Sequence, residues 1–281
     1  MSKWNLVIDV EKCNGCFNCF IACKDEHVGN AFPGYSAEQP LHGHKWIDIK
    51  TVERGQTPML DLTYLPTMCN HCDDAPCVKA GKGAVRKRED GIVLFDPERT
   101  RDRKDLVASC PYGAIWWNEQ ERVPQTWFFD AHLLDRGWKQ PRCVQACGLG
   151  AMRSMKVEDD EMQRVVREES LEVLKPELGT KPRVYYRNLY HVQRCFIGGT
   201  VIAEANGVQD AVKNARVVLS KDGKVVGETL SDPYGDFSID GLPPTSGTYA
   251  VEVSAPGYKA EKRDAVLGES RYLGVMQLKK A

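Results

Sequence analysis

No run of apolar residues in the chain approaches the roughly 18 to 20 needed to cross a bilayer, so no direct membrane span is expected. There is almost no net charge either. The 38 Lys and Arg are matched by 39 Asp and Glu, leaving no overall field to recruit nucleic acid or an anionic membrane. A phosphate-cradling glycine loop, a nucleophile elbow and an HExxH pattern are all missing, and with them any credible active site of the chain's own. The opening "MSKWNLVIDVEKC" has neither the apolar core nor the small-residue cleavage site of a leader. A cytoplasmic location is expected, unless a partner with its own export signal carries the folded chain.

Cysteine is scarce beyond residue 147, where only Cys195 remains, and dense before it: ten of the 11 lie between Cys13 and Cys147. An odd number in close groups, without a leader, points to metal ligands over disulfides. "CNGCFNCFIAC" holds Cys13, Cys16, Cys19 and Cys23. The first three, each separated by two residues, can wrap three corners of a cubane, while Cys23 leaves on a new helical turn. In the bacterial ferredoxin pattern the fourth cysteine of such a run serves the other cluster of a pair, so each group needs a distant partner. Candidates are Cys69, Cys72 and Cys77 in "CNHCDDAPC", Cys110 in "SCPYGAI", and Cys143 and Cys147 in "PRCVQACGLGAM". Zinc is the weaker reading, since its sites use pairs and have no need of an evenly spaced triplet.

A length of 281 residues suggests two domains. The boundary is placed at 195/196. In the first part, "NLVIDV" (5 to 10) and "GIVLFD" (91 to 96) read as strands, and "DDEMQRVVREESLEVL" (159 to 174) as an amphipathic helix followed by a proline-bearing strap. From about 196, seven short alternating runs separated by turn residues read as a small all-β sandwich. The expected class is α+β.

The order of triplet plus one, C-x2-C-x4-C, CPYGA and P-x-C-x3-C resembles the iron-sulfur subunits of molybdopterin oxidoreductases of the dimethyl sulfoxide reductase family. "HCDDAPCVKAGKGAV", "REDGIVLFDPE", "CPYGAIWWNE" and "KPELGTKPRVYYRNLY" are similar, within that group, to subunits of enzymes that move hydroxyl groups between two phenols without net electron flow. The resemblance implies a bacterial-ferredoxin-like 4Fe-4S domain over 1–195. It also implies a non-catalytic role beside a large subunit carrying molybdenum bis-MGD, the substrates being polyhydroxylated aromatics. Carried over by position, Cys13, Cys16, Cys19 and Cys147 would hold one 4Fe-4S cluster and Cys69, Cys72, Cys77 and Cys110 another. Gly81, Thr100, Arg103 and Leu106 stand where four further cysteines would hold a cluster, so that one is expected to be lost.

A third cluster would fall to Cys23 and Cys143, between the two complete sets. The family's remaining pair of cysteines is replaced here by Trp127 and Asp130. Two outcomes stay open: an altered cluster with Asp130 as a ligand, or an empty site filled by Trp127, Phe128 and Phe129. Two or three clusters are therefore implied. An electron-transferring subunit of a phenol hydroxylase or catechol dehydroxylase, or a free-standing carrier, are the alternatives.

The remaining motifs read plainly. Cys195 is taken as a small buried residue, His71 as a loop residue near a cluster sulfur, and His132 as a hydrogen-bonded structural histidine. "RKR" (86 to 88) and "RTRDRK" (99 to 104) are taken as solvated loops, and "DPYGD" (232 to 236) as a turn. The C-terminal run also resembles carboxypeptidase-regulatory-like modules with a seven-stranded transthyretin- or Ig-like sandwich (196–281), which implies an interaction role.

Overall fold

The computed structural model describes residues 1–205 and 207–281. Contacts divide the chain into a unit of Met1–Thr51 with Tyr64–Leu189 and a second of Val52–Thr63 with Tyr190–Ala281. The expected boundary at 195/196 falls near the second break, but nothing in the sequence pattern marks residues 52–63 as belonging with the C-terminal part.

Up to Arg187 the elements run β1 (Lys3–Asp9), α1 (Asn18–His27), the hairpin strands β2 (Ile47–Gln56) and β3 (Met59–Met68), whose residues 52–63 count with the second unit, α2 (Pro76–Gly81), β4 (Val85–Lys87), β5 (Val93–Phe95), β6 (Trp116–Asn118), β7 (Val123–Gln125), α3 (Ala131–Leu134), α4 (Arg142–Gln145), β8 (Met152–Val157), α5 (Asp159–Glu168) and β9 (Val184–Arg187). β1 is the centre of a three-stranded sheet, antiparallel to β8 and parallel to β9. Its apolar run explains this position, because Leu6, Val7 and Ile8 are all buried and a strand covered on both faces reads as continuous hydrophobe. α5 lays Met162 and Val165 on Val7 and Tyr185 of that sheet.

The helix expected over 159–174 stops at Glu168. Ser170 takes a left-handed conformation (φ 52°) and the chain unwinds. Leu171 still reaches the same core by a turn, its N–H donating to the Val166 carbonyl at 2.9 Å. The apolar spacing is sound, but it continues through a segment that is not helical.

The second unit is a sandwich of two four-stranded sheets formed by β10 (Cys195–Ala205), β11 (Val208–Ala211), β12 (Arg216–Lys221), β13 (Lys224–Leu230), β14 (Asp236–Leu242), β15 (Gly247–Ser254), β16 (Glu261–Leu267) and β17 (Arg271–Leu278). Eight strands replace the expected seven among the described residues. The additional one, β11, is short and exposed, and no alternation betrays it. Inward residues of both sheets, among them Val201, Val217, Leu219, Phe237, Val251 and Met276, make one core. Cys195 is buried in it, as expected of a small apolar residue. The open edge of β17 is partly covered, since the Arg263 guanidinium donates to the carbonyls of Leu273 (2.7 Å) and Val275 (3.2 Å).

Candidate metal centres

Ten of the 11 cysteines gather in three places. Cys13, Cys16, Cys19 and Cys147 lie close together, near enough for Cys13 and Cys19 each to feel the charges of Cys16 and Cys147. Cys13 to Cys19 enter α1 through a tight turn, in which Gly15 is left-handed (φ 69°) and a Cβ there would meet the Tyr64 ring at 2.5 Å. Only glycine fits. Cys147 arrives just after α4. Burial is the first cause that lifts Cys19 to about 12, with the charges of Cys13, Cys147 and Cys16 adding to it.

The second set joins Cys69 and Cys72 of the loop after β3, Cys77 in α2, and Cys110 after the 3₁₀ turn Lys104–Ser109. It is enclosed by Val85, Val93, Phe95, Leu106 and Ile115. Burial, then the neighbouring Cys110 and Cys72, push Cys77 up to about 12. Backbone N–H groups of His71 and Val78 point at Cys69 and Cys77, and the Thr180 hydroxyl at Cys72. Thr180 is in turn held by the Tyr112 hydroxyl at 2.6 Å.

Thiols that face one another without a cation are poor acids. A metal core that draws off their protons resolves the repulsion, and both sets fit it. Single-ion geometry fits less well. A zinc ion with bonds of about 2.3 Å would draw its four sulfurs to within about 3.8 Å of each other. Among the described residues the only ligand group of three or more within 4.8 Å is Asp61, His191 and Asp240. That group already surrounds a cation, because Arg54 donates through Nη1 (2.9 Å) and Nη2 (2.8 Å) to Asp240, through Nε (3.0 Å) to Asp61 and through Nη2 to His191 (3.2 Å).

The third place holds Cys23, Cys143 and Asp130, all buried. Asp130 accepts three hydrogen bonds. His27 Nε2 (3.1 Å) and Trp127 Nε1 (3.3 Å) share one oxygen, and the Arg142 backbone N–H (2.8 Å) takes the other. Burial alone would make it a weaker acid, but the His27 and Arg142 hydrogen bonds outweigh it and keep the carboxyl below the ordinary value. Trp127, Phe128 and Phe129 are at most 2% exposed. Trp127 stacks on Phe129 at 4.8 Å and meets His71 at 5.4 Å, so this aromatic segment reaches from beside Cys23 and Cys143 to the loop of the second set. His132 is hydrogen-bonded to Glu26 at 2.8 Å, as its structural reading expects.

The positions of the four absent cysteines are closed by packing. A Cβ on Gly81 would lie 2.6 Å from Val85, Leu106 and Thr100 are fully buried, and Arg103 bonds the Ala80 carbonyl at 3.1 Å. The 99 to 104 loop is otherwise largely exposed, with Thr100 anchored by Asp96.

Two basic residues depart from the solvated reading. Lys87 is part of β4 and donates to the carbonyls of His71 (2.5 Å) and Cys72 (2.9 Å) while pairing with Asp73 at 2.7 Å. Arg88 grips Asp135 and Asp90. His71 is fully buried, its Nδ1 accepting from the Val93 N–H at 3.1 Å and lying 3.9 Å from the Cys69 sulfur. Burial first, then Lys87, lowers it to about 3, so the ring is neutral. The alternation Val85, Lys87 within a strand was the signal available for Lys87.

Both parts of the chain resemble known proteins. Residues 60–157 match the model of a 4Fe-4S dicluster domain, and 197–275 that of a carboxypeptidase regulatory-like domain. The chain is 43% identical, over 99% of its length and the whole of the relative, to the pyrogallol hydroxytransferase small subunit of Pelobacter acidigallici. The chain belongs to that family. It is also similar to the arsenate respiratory reductase iron-sulfur subunit of Shewanella (28%, 69% of this chain, all of the relative). The thiosulfate reductase electron transfer subunit of Salmonella typhi is 29% identical over 59% of this chain and 82% of the relative. The chain is thus an iron-sulfur electron-transfer subunit, and no described helix is long and apolar enough to cross a membrane.

Proposed function

We propose that the chain is the non-catalytic subunit of a molybdenum bis-MGD enzyme that moves hydroxyl groups between polyhydroxylated aromatics, in the manner of pyrogallol to phloroglucinol. The full-length similarity to the pyrogallol hydroxytransferase small subunit carries this reading. Cys13, Cys16, Cys19 and Cys147 would hold one 4Fe-4S cluster, and Cys69, Cys72, Cys77 and Cys110 the second. Such clusters store and release single electrons. The chain's own part is to exclude water from them, to set the charge around them, and to present them to a large catalytic subunit. Lys87, the Thr180 hydroxyl and the N–H groups directed at sulfur stabilise negative charge on the second set. Around the first set Phe17, Ile21 and Leu149 are exposed apolar side chains close in sequence to its cysteines, a surface suited to burial by that subunit.

The third place is read as filled without a cluster. Two cysteines, a carboxylate occupied by three donors, and close-packed Trp127 and Phe129 support this. A chain lacking its middle cluster would conduct poorly over its length, which suits net-neutral chemistry in which the clusters poise the partner's metal. The C-terminal unit is read as a transthyretin-like spacing or docking module, and the location as cytoplasmic.

The test is turnover by the purified complex of pyrogallol with a tetrahydroxybenzene cosubstrate and no added donor or acceptor. Transhydroxylation is expected. Turnover that requires an external redox partner would assign the complex to the hydroxylase or dehydroxylase class, and purification as a lone stable monomer would contradict the heterodimer.

A further inference from the structure

Residues 175–183 are clasped to both loops of the second cysteine set. The Lys175 ammonium donates to the Pro111 carbonyl at 3.1 Å, next to Cys110. Farther along, the Asp74 and Asp73 N–H groups donate to the carbonyls of Thr180 (3.0 Å) and Lys181 (2.9 Å), and the Arg183 N–H donates to the Asn70 carbonyl at 2.8 Å. From Lys175 to Lys181 only Thr180 is buried, at 4% exposed. Gly179 and Lys181, on either side of it, are left-handed (φ 61° and 52°), a conformation that costs a lysine free energy. The strain is carried where one hydroxyl is turned inward. That hydroxyl meets two groups, the Tyr112 hydroxyl at 2.6 Å and the Cys72 sulfur. It has a single proton to give. A Cys72 sulfur that ligates metal has lost its own proton and can only accept. The Thr180 proton therefore goes to sulfur, and the Tyr112 proton goes to the Thr180 oxygen.

We propose that Tyr112 is a positioning residue for electron storage at the second set. Its hydroxyl fixes the direction of the Thr180 O–H and, because hydrogen bonds in a chain polarise one another, makes it a stronger donor. A donor to a cluster sulfur stabilises the reduced, more negative state, so the relay raises the reduction potential of a cluster held there. This role rests on the reading of the set as a 4Fe-4S site, and Tyr112 acts on it at one remove, through Thr180. The tyrosine ring is half-buried against the apolar wall of the same set, which leaves the hydroxyl as the part that phenylalanine would not replace.

Potentiometric titration of the purified complex, followed by electron paramagnetic resonance, tests this, with Cys77→Ser run in parallel to identify the signal of the second set. Thr180→Val keeps the shape and removes the donor. It should move the one-electron equilibrium of that set about tenfold toward the oxidised form, about 59 mV downward. Tyr112→Phe keeps the ring and should move it about twofold in the same direction. Thr180→Ser keeps the hydroxyl and should stay near the wild type. The double variant of Tyr112→Phe and Thr180→Val should match Thr180→Val alone, because without the Thr180 oxygen Tyr112 has no route to the sulfur. The signal of the first set should stay in place throughout. A Tyr112→Phe potential equal to that of the wild type would overturn the role and leave the cluster reading intact. So would a double variant that falls below Thr180→Val by the full Tyr112→Phe shift. A complex in which Cys77→Ser alters no signal would overturn both. Should Thr180→Val lose iron, the twofold shift in Tyr112→Phe, set against none in Thr180→Ser, decides alone.

Discussion

Lys87 shows how much one side chain can decide. Its ammonium is largely buried and ties the carbonyls on either side of the Cys72 peptide to Asp73. Its charge helps to hold negative charge on Cys72. Lys87→Met should therefore shift the reduction potential of the second set downward in a potentiometric titration followed by electron paramagnetic resonance. Lys87→Arg should restore most of it. Asp130 makes the opposite case, because its carboxylate already accepts three hydrogen bonds. Asp130→Ala should leave the iron content unchanged and lower stability by roughly 3 to 5 kcal/mol in urea unfolding, as expected when one partner of a buried polar group is removed. Thiolate spacing marked the cysteine groups as metal ligands, because metal chemistry constrains residue type as well as separation, and the family resemblance implied how they would combine. The hydrogen bonds that occupy Asp130 were not recognisable. Besides the nearby Trp127 indole, they come from His27, on a helix far away in the chain, and from a backbone N–H, which leaves no mark on residue identity.

Among the elements, α2 and β4 leave no room for a cysteine at Gly81, one of the positions where the family's further cluster is expected to be lost. Gly81→Ala would place a methyl 2.6 Å from Val85 and should cost about 1 to 3 kcal/mol in the same assay. Gly81→Cys should show a similar loss and no gain of iron. The end of α3 is fastened to the residue after β4 by Arg88 and Asp135, with both guanidinium–carboxylate distances at 2.7 Å. Those hydrogen bonds first, and the Tyr35 hydroxyl second among the favourable contacts, hold Asp135 below the ordinary carboxylate value of 3.8. The folded form is thus the stronger acid, so this contribution is complete above 3.8 and disappears as pH falls through the lower folded value. Asp135→Asn should lie below the wild type by less than about 1 kcal/mol at neutral pH, Asp135 being partly exposed. The two stability curves should converge on acidification. Strands such as β1 and β12 could be read from their apolar runs. β11 and the end of α5 could not, since a short exposed strand has no burial pattern and Leu171 keeps its helical spacing after the helix has ended.

Taken as a whole, the chain should carry about eight iron atoms and eight sulfides, the content of two 4Fe-4S clusters. Chemical analysis of the purified complex checks this, and a value near twelve would reinstate the middle site. The sequence changes texture near residue 195, whereas the second break between the units falls at 189/190. The inclusion of 52–63 in the second unit left no such mark, because Arg54 finds Asp240 and the Arg194 carbonyl only after folding. One further consequence concerns timing during synthesis. The last thiol of the first set arrives with Cys147, and the hydroxyl that rests on Cys72 arrives with Thr180, whose carbonyl also accepts the Asp74 N–H at 3.0 Å. A nascent polypeptide released early, or stalled before that point, presents only half-built pockets to the cell's iron-delivery machinery. Loading must then wait until nearly two thirds of the chain has left the ribosome, and truncated products should emerge colourless.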